Sequence, residues 1–243
     1  MQAVTAALQR RTSQPEPPQS EVFVFVGHFG LALAAKRSAP RVSLGWLFVA
    51  AQLADLLWPL FLLAGWERVR IDPGNTAVTP LAFDYYPISH SLLADLALGA
   101  ALALPYSFVR RDFRGAAVLF LLVPSHWLLD WVTHRPDLPL TPWTDGKYGL
   151  GLWNSVSATI VVETALFLTG AIINLRVTRA IRGPGRWGLA ALLLVLAAIQ
   201  VANILGPPPP NVSAIAIAGI ALWLFPLWGG WVDRSRTPAD SAG

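Results

Sequence analysis

Cysteine is absent from the 243-residue chain, which excludes disulfides, thiolate zinc sites, iron–sulfur clusters and a cysteine nucleophile. Any metal would have to be held by imidazole and carboxylate. Charge is scarce too: 13% of residues are Asp, Glu, Lys or Arg, against 54% apolar, whereas a soluble domain carries about 25% charged residues. So little polar surface cannot wrap a water-soluble globule, and the apolar runs are too long and too numerous for the core helices of one. The mean hydropathy is +0.51. Signal-peptide order is missing, because Arg10 and Arg11 follow the weakly apolar stretch 3–8 instead of preceding it. No internal repeat is visible, which weakens any analogy with inverted-repeat transporters. The net charge of +4 and pI near 10.0 do not indicate nucleic acid, since the arginines sit in short loops between apolar runs and not along one helix face.

What is present is a series of apolar segments. Six of them, 45–65, 88–108, 115–133, 152–174, 187–205 and 212–231, are long enough to cross a ~30 Å hydrocarbon core at ~1.5 Å per residue. A seventh, 22–35, is shorter and reads as a tilted span, an interfacial helix or a re-entrant one. The expected fold is an all-α, polytopic transmembrane helical bundle of six long spans plus a shorter N-terminal helix. It occupies residues 22–232, flanked by disordered tails at 1–21 and 233–243. Alternate loops carry the basic residues: Lys36, Arg37 and Arg41; then Arg110, Arg111 and Arg114; then Arg176, Arg179, Arg182 and Arg186; then Arg234 and Arg236. These should face the cytoplasm, so the long connections 66–87 and 134–151 face outward. The expected location is a bacterial inner (plasma) membrane. Most of the eleven tryptophans fall near segment ends, as an interfacial aromatic belt requires.

Several ionisable residues nevertheless lie at membrane depth, where insertion costs roughly 2.5–3.5 kcal/mol for a charged side chain and function is the default explanation. His28 lies in the first segment, Asp55 in the second, His90 at the mouth of the third, and His126 with Asp130 in the outer half of the fourth. His126 and Asp130 are four apart, which puts both on one helix face. Entering from outside, His90 is shallow, Asp55, His126 and Asp130 lie between the midplane and the outer surface, and His28 comes to a similar depth if the first segment runs inward, so the five can converge in one outward-open pocket. Neutral His with ionised Asp is a ligand set favoured by zinc and other first-row divalent ions. Each residue also has a plainer reading: a satisfied core histidine for His28, a helix-start residue for His90, and a hydrogen-bonded helix pair for His126 and Asp130. Asp55 has less cover, because no basic residue is available at its depth. Asp95, five residues past His90, turns to another face and is left out of the site. Glu163, deep in the fifth long segment counted from residue 22, reads as a further ligand, a general base or a helix–helix contact. His134 reads as a helix-end residue, and the loop that follows it as a connection or a lid.

Four elements resemble the membrane-bound metal-dependent hydrolases, a family of inner-membrane proteins distantly linked to zinc-dependent phospholipase C. They are Gly27-His28 opening a small-residue helix, Asp55 in the second span, Ser89-His90-Ser91 before a Leu-rich helix, and Ser125-His126 followed by Leu129-Asp130. The resemblance implies His28, Asp55, His90, His126 and Asp130 as metal ligands and hydrolysis as the activity. The sequence departs from the family where Leu56, Leu57 and Trp58 follow Asp55 in place of a second Asp and a His. It departs again where Tyr86 to Ser89 stand in place of an Arg and Thr before His90.

The leading expectation is therefore a membrane-embedded hydrolase acting on a lipid-like ester or phosphoester through one divalent metal, zinc first, with Glu163 or an aspartate as general base. Membrane lipid is the expected partner and nucleic acid is not. Two other readings stay open: an ion or proton transport protein using the same cluster, and a non-catalytic membrane protein whose metal is structural.

Overall fold

The computed structural model describes residues 26–239; the expected tail at 1–21 and residues 22–25 lie outside them. Short polar side chains open the helices where the apolar runs begin. Ser43, Ser91, Asp112, Ser155 and Asn211 each accept the backbone N–H three residues on, which satisfies a donor the first turn leaves unpaired. The helices are α1 (Val26–Ala35), α2 (Leu44–Ala51), α3 (Leu53–Leu63), the one-turn α4 (Pro87–His90), α5 (Leu92–Arg110), α6 (Phe113–Thr133), α7 (Val156–Val177), α8 (Gly183–Leu205), α9 (Val212–Ala221) and α10 (Leu224–Asp233).

Among the described residues, five helices are long and apolar enough to cross a membrane: α5, α6, α7, α8, and α9 with α10 taken together as Val212–Asp233. The protein is an all-α, multi-pass membrane bundle. The expected sixth span, 45–65, is not one straight helix: α2 and α3 are bent 58° at Gln52. No glycine or proline marks the break; Pro59 lies a full turn or more beyond it, inside α3. The third segment begins at Leu92, not at 88, because Pro87 starts a separate turn that ends at His90 and the extended Ser91 then caps α5. α1 has ten residues among those described and is too short to count as a span.

Close backbone approach fixes α1. It lies along α7, with Gly30 against Leu166 and Phe167 and with Gly170 against the Gly30 carbonyl, so that a β-carbon at either glycine would strike main chain. Small residues at such crossings let membrane helices pack at van der Waals distance, where no hydrophobic driving force exists to pull them together. Phe29 then reaches the core edge-on to Phe48 and Phe225, at 4.8 and 5.4 Å.

Three small antiparallel pairs close the ends: β1 (Arg68–Ile71) with β2 (Leu81–Tyr85), β3 (Leu138–Pro139) with β4 (Lys147–Tyr148), and β5 (Thr178–Ala180) with β6 (Arg236–Pro238). The last pair corrects the expected disordered tail from residue 233. Arg236 donates to Thr178 Oγ1, the Thr178 carbonyl and the Gly185 carbonyl, and Asp233 pairs with the buried Lys36 at 2.8 Å. The charges that made this stretch read as a solvated tail are the groups that tie it down.

Candidate metal centre

α6 places His126 and Asp130 one turn apart and both buried, facing α1 and the α2–α3 bend. Asp130 is at the centre of the cluster. Its Oδ1 lies 3.3 Å from His28 Nε2, and its Oδ2 lies 3.2 Å from His126 Nε2 and 3.9 Å from His90 Nε2. Asp55 enters from α3, with Oδ1 3.3 Å from His90 Nε2 and 3.7 Å from His126 Nε2. The imidazoles of His28 and His126 are in contact, with centroids 4.1 Å apart and planes tilted by 37°. The structure thus brings His28, Asp55, His90, His126 and Asp130 into one cluster.

Two overlapping groups share His126: His28, His126 and Asp130, and Asp55, His90 and His126. Within each, the ligand atoms lie within 4.8 Å of one another. Tetrahedral ligands held at about 2.0–2.1 Å from an ion stand about 3.3 Å apart; three of the five contacts, at 3.2, 3.3 and 3.3 Å, match that figure, and the other two are 3.7 and 3.9 Å. The buried Nε2 atoms of His28 and His126 are near Asp130 but have no aligned hydrogen-bond partner among the described residues. Lone pairs aimed at a common point, not at each other's protons, are what a bound cation requires. These buried His and Asp groups could hold a metal ion.

The far sides of the rings are fixed. His126 Nδ1 donates to the Ala51 carbonyl at 2.9 Å, the last residue before the bend, so the break at Gln52 presents an acceptor to the metal-facing helix. His90 Nδ1 stands 2.7 Å from Ser89 Oγ. That hydroxyl donates onward to Glu67 Oε2 at 2.6 Å, and Glu67 Oε1 also accepts the Ile88 and Ser89 N–H groups. A hydroxyl that gives its proton to Glu67 accepts from His90 Nδ1, which fixes the ring, while His90 Nε2 faces the Asp55 carboxylate at 3.3 Å.

Glu163 stands elsewhere. Its Oε2 accepts the Gly27 N–H at 2.7 Å, it is buried against α1, and it is not among the residues lining the cavity described next. Asp95 is fully buried, neither of its oxygens has a hydrogen-bond partner among the described residues, and it belongs to neither ligand group.

A cavity of about 450 Å³ reaches the cluster and touches Asp55, His90 and Asp130. Asp55 is the most open of the five, with 23% of its side chain accessible. His134 lines the same cavity. Its ring lies in tilted contact with Phe83 and Trp153, 4.9 and 4.1 Å away, and its Nδ1 is 2.9 Å from Asp137 Oδ1. Tyr86 donates to that same oxygen at 2.7 Å, and Arg135 approaches the other at 3.4 Å. Burial alone would lower the His134 pKa, but the Asp137 hydrogen bond and charge outweigh it, with Asp130 and Asp55 assisting, and leave it raised. Burial and the Asp137 carboxylate push the Tyr86 phenol well above its ordinary value. His134 does end its helix, and it is also a cavity-facing imidazole oriented by a carboxylate. Nothing in the sequence pattern marks Glu67, Tyr86 or Asp137, which lie in outer connections without periodicity; the His-x-x-Asp spacing 134–137 is the one local signal.

No protein-family model, curated protein or solved structure matches the chain. What the protein does is read from these side chains.

Proposed function

We propose that the protein is a membrane-embedded, metal-dependent hydrolase that cleaves an ester or phosphoester in a lipid-like substrate, a divergent relative of the membrane-bound metal-dependent hydrolases. The observation that carries this reading is the convergence of three imidazole Nε2 atoms and two carboxylates at the polar end of an otherwise apolar cavity. Buried polar groups at one end of an apolar pocket are the usual form of a small-molecule site. The opening at Asp55 favours a catalytic over a closed structural site, because a structural ion is fully enclosed by its ligands.

His28, Asp55, His90, His126 and Asp130 would hold the ion, zinc being the first choice for a nitrogen and oxygen donor set without sulfur. When bound it would supply Lewis acidity, polarising the scissile carbonyl or phosphoryl group and acidifying water. Asp137 and Tyr86 hold the His134 ring in place across the cavity, with Nδ1 committed to Asp137, so proton transfer at this site falls to its Nε2. The raised pKa suits His134 to donating a proton to a leaving oxygen. Glu163, expected from the sequence to be a base, instead anchors the first turn of α1 and thereby the position of His28. The basic loops support an outward-facing site in a bacterial inner membrane.

Elemental analysis of the detergent-purified protein beside an Asp55→Ala, His126→Ala double variant tests the reading. The expected result is near-stoichiometric zinc in the parent and loss of it in the variant at matched folding, with activity on lipid esters or phosphoesters following the metal. Absence of metal in both after supplementation with zinc and manganese would overturn it and turn attention to cation or proton transport.

A further inference from the structure

The cavity does not end at the metal centre. Besides Asp55, His90 and Asp130, its lining includes Trp58, Phe83 of β2 and residues of α8, α9 and α10 that border a gap. One side of the gap is a single row on α8: Val195, Ile199 and Asn203, four residues apart and hence on one face. The other side is Ala218, Ala221, Leu222 and Leu224, where α9 gives way to α10, with Phe225 and Trp228 below.

Close packing between these helices is seen at the opposite end. Gly188, near the start of α8, lies against Trp231 and Val232 of α10, too close for a β-carbon. From that crossing α8 leans on α10 and stands off α9. Val195, Ala218, Ala221 and Leu224 are exposed at the rim, Val195 37% and Leu224 62%, while Ile199, Asn203 and Leu222 are half-buried behind them. All of them belong to membrane-spanning helices, so the rim faces hydrocarbon, in the half of the bilayer nearer the metal centre.

We propose that this gap is a lateral portal and binding groove for a hydrocarbon chain of a bilayer lipid, which enters sideways between α8 and α9 while its head-group linkage reaches the His/Asp cluster. The inference deepens the hydrolase reading and rests on it for what occupies the polar end. A cavity that is apolar along its length and carries paired carboxylates and imidazoles at one end is complementary to an amphiphile, and a water-borne substrate would not need a mouth in the hydrocarbon layer. A chain already dissolved in lipid gains no hydrophobic driving force on moving between helices. The groove therefore admits by shape, and the polar end decides which lipid stays.

The test uses the full chain in vesicles containing a phosphatidylcholine with a diazirine midway along one acyl chain, followed by peptide mapping of the adducts. Adducts are expected on the stretches 195–203 and 218–225. Ala218→Trp, which fills the rim, should reduce them by roughly five-fold or more, the effect of ordinary overpacking. Ile217→Trp places the same indole on an outward-facing position, 67% exposed, and should leave them unchanged. If Ala218→Trp does not fold, Val195→Trp narrows the same rim from α8. Adducts spread over outward surfaces such as Leu104 and Phe108 and indifferent to the rim variants would overturn the portal. Metal content is read on the same samples: adducts in the groove of a protein that holds no metal would sink the hydrolase reading and leave the portal standing.

Discussion

The two walls of the cavity differ in how closely their helices approach at the rim. On the cluster side, α1, α6, α7 and the α2–α3 bend pack through glycines and main-chain contacts, and His90 and His126 are pinned through their Nδ1 atoms. On the far side, α8 and α9 are apolar, separated and exposed at the rim. A metal centre must hold its ligands to fractions of an ångström, whereas a chain-binding wall needs only the right shape and the ability to part. Changes on the first wall should therefore damage metal binding steeply, and changes on the second should alter access while sparing it.

The largest effect is expected from Gly170→Leu. The added side chain meets the Gly30 main chain, which cannot yield as a flexible side chain would, so α1 must leave α7 and carry His28 away from Asp130. Loss of bound zinc together with a lowered unfolding temperature in detergent is the expected outcome. A variant that keeps full metal occupancy would show that α1 is not what holds His28 in the cluster, and the contrast between the walls would fail.

A smaller effect is expected from Glu67→Gln. The amide can still accept the Ile88 and Ser89 N–H groups, but it no longer presents a charged acceptor to the Ser89 hydroxyl, so the orientation of His90 Nδ1 is weakened. Outer partners of metal-bound histidines are worth about 10- to 100-fold in metal affinity. Zinc competition with a chelator should show a loss in that range, with the fold intact by circular dichroism. No change in affinity would mean that the Glu67–Ser89–His90 chain serves α4 alone.

How far the sequence reveals this architecture follows from the range of the interactions involved. The i, i+4 pair His126 and Asp130 is local, and the hydropathy pattern assigns depth, so the two together bring five side chains to one level before any contact is known. Helix bending at Gln52 is not local: its visible consequence is a carbonyl turned toward α6, and no residue at the break announces it. The β5–β6 pair is three residues long and polar, below any periodic signal. Glu67, Tyr86 and Asp137 come from outer connections whose roles exist only once the hairpins fold over the cluster. The portal is a property of the distance between α8 and α9, and hydropathy is blind to distances between helices.

Glu163 shows what depth alone cannot decide. A buried carboxylate at membrane level reads equally as ligand, base or helix contact, and the three differ in what lies within 3 Å. Here that is the Gly27 N–H, at 2.7 Å, one of the donors the first turn of α1 leaves unpaired. Glu163→Gln keeps an acceptor oxygen and the shape of the side chain, so it should retain bound zinc and cost no more than about 1 kcal/mol in stability, the difference between a charged and a neutral hydrogen bond. Turnover of whatever ester the parent hydrolyses should stay within a few-fold. A loss of turnover by 100-fold or more, at unchanged metal content, is the size expected for removing a general base, and would place Glu163 in the chemistry after all.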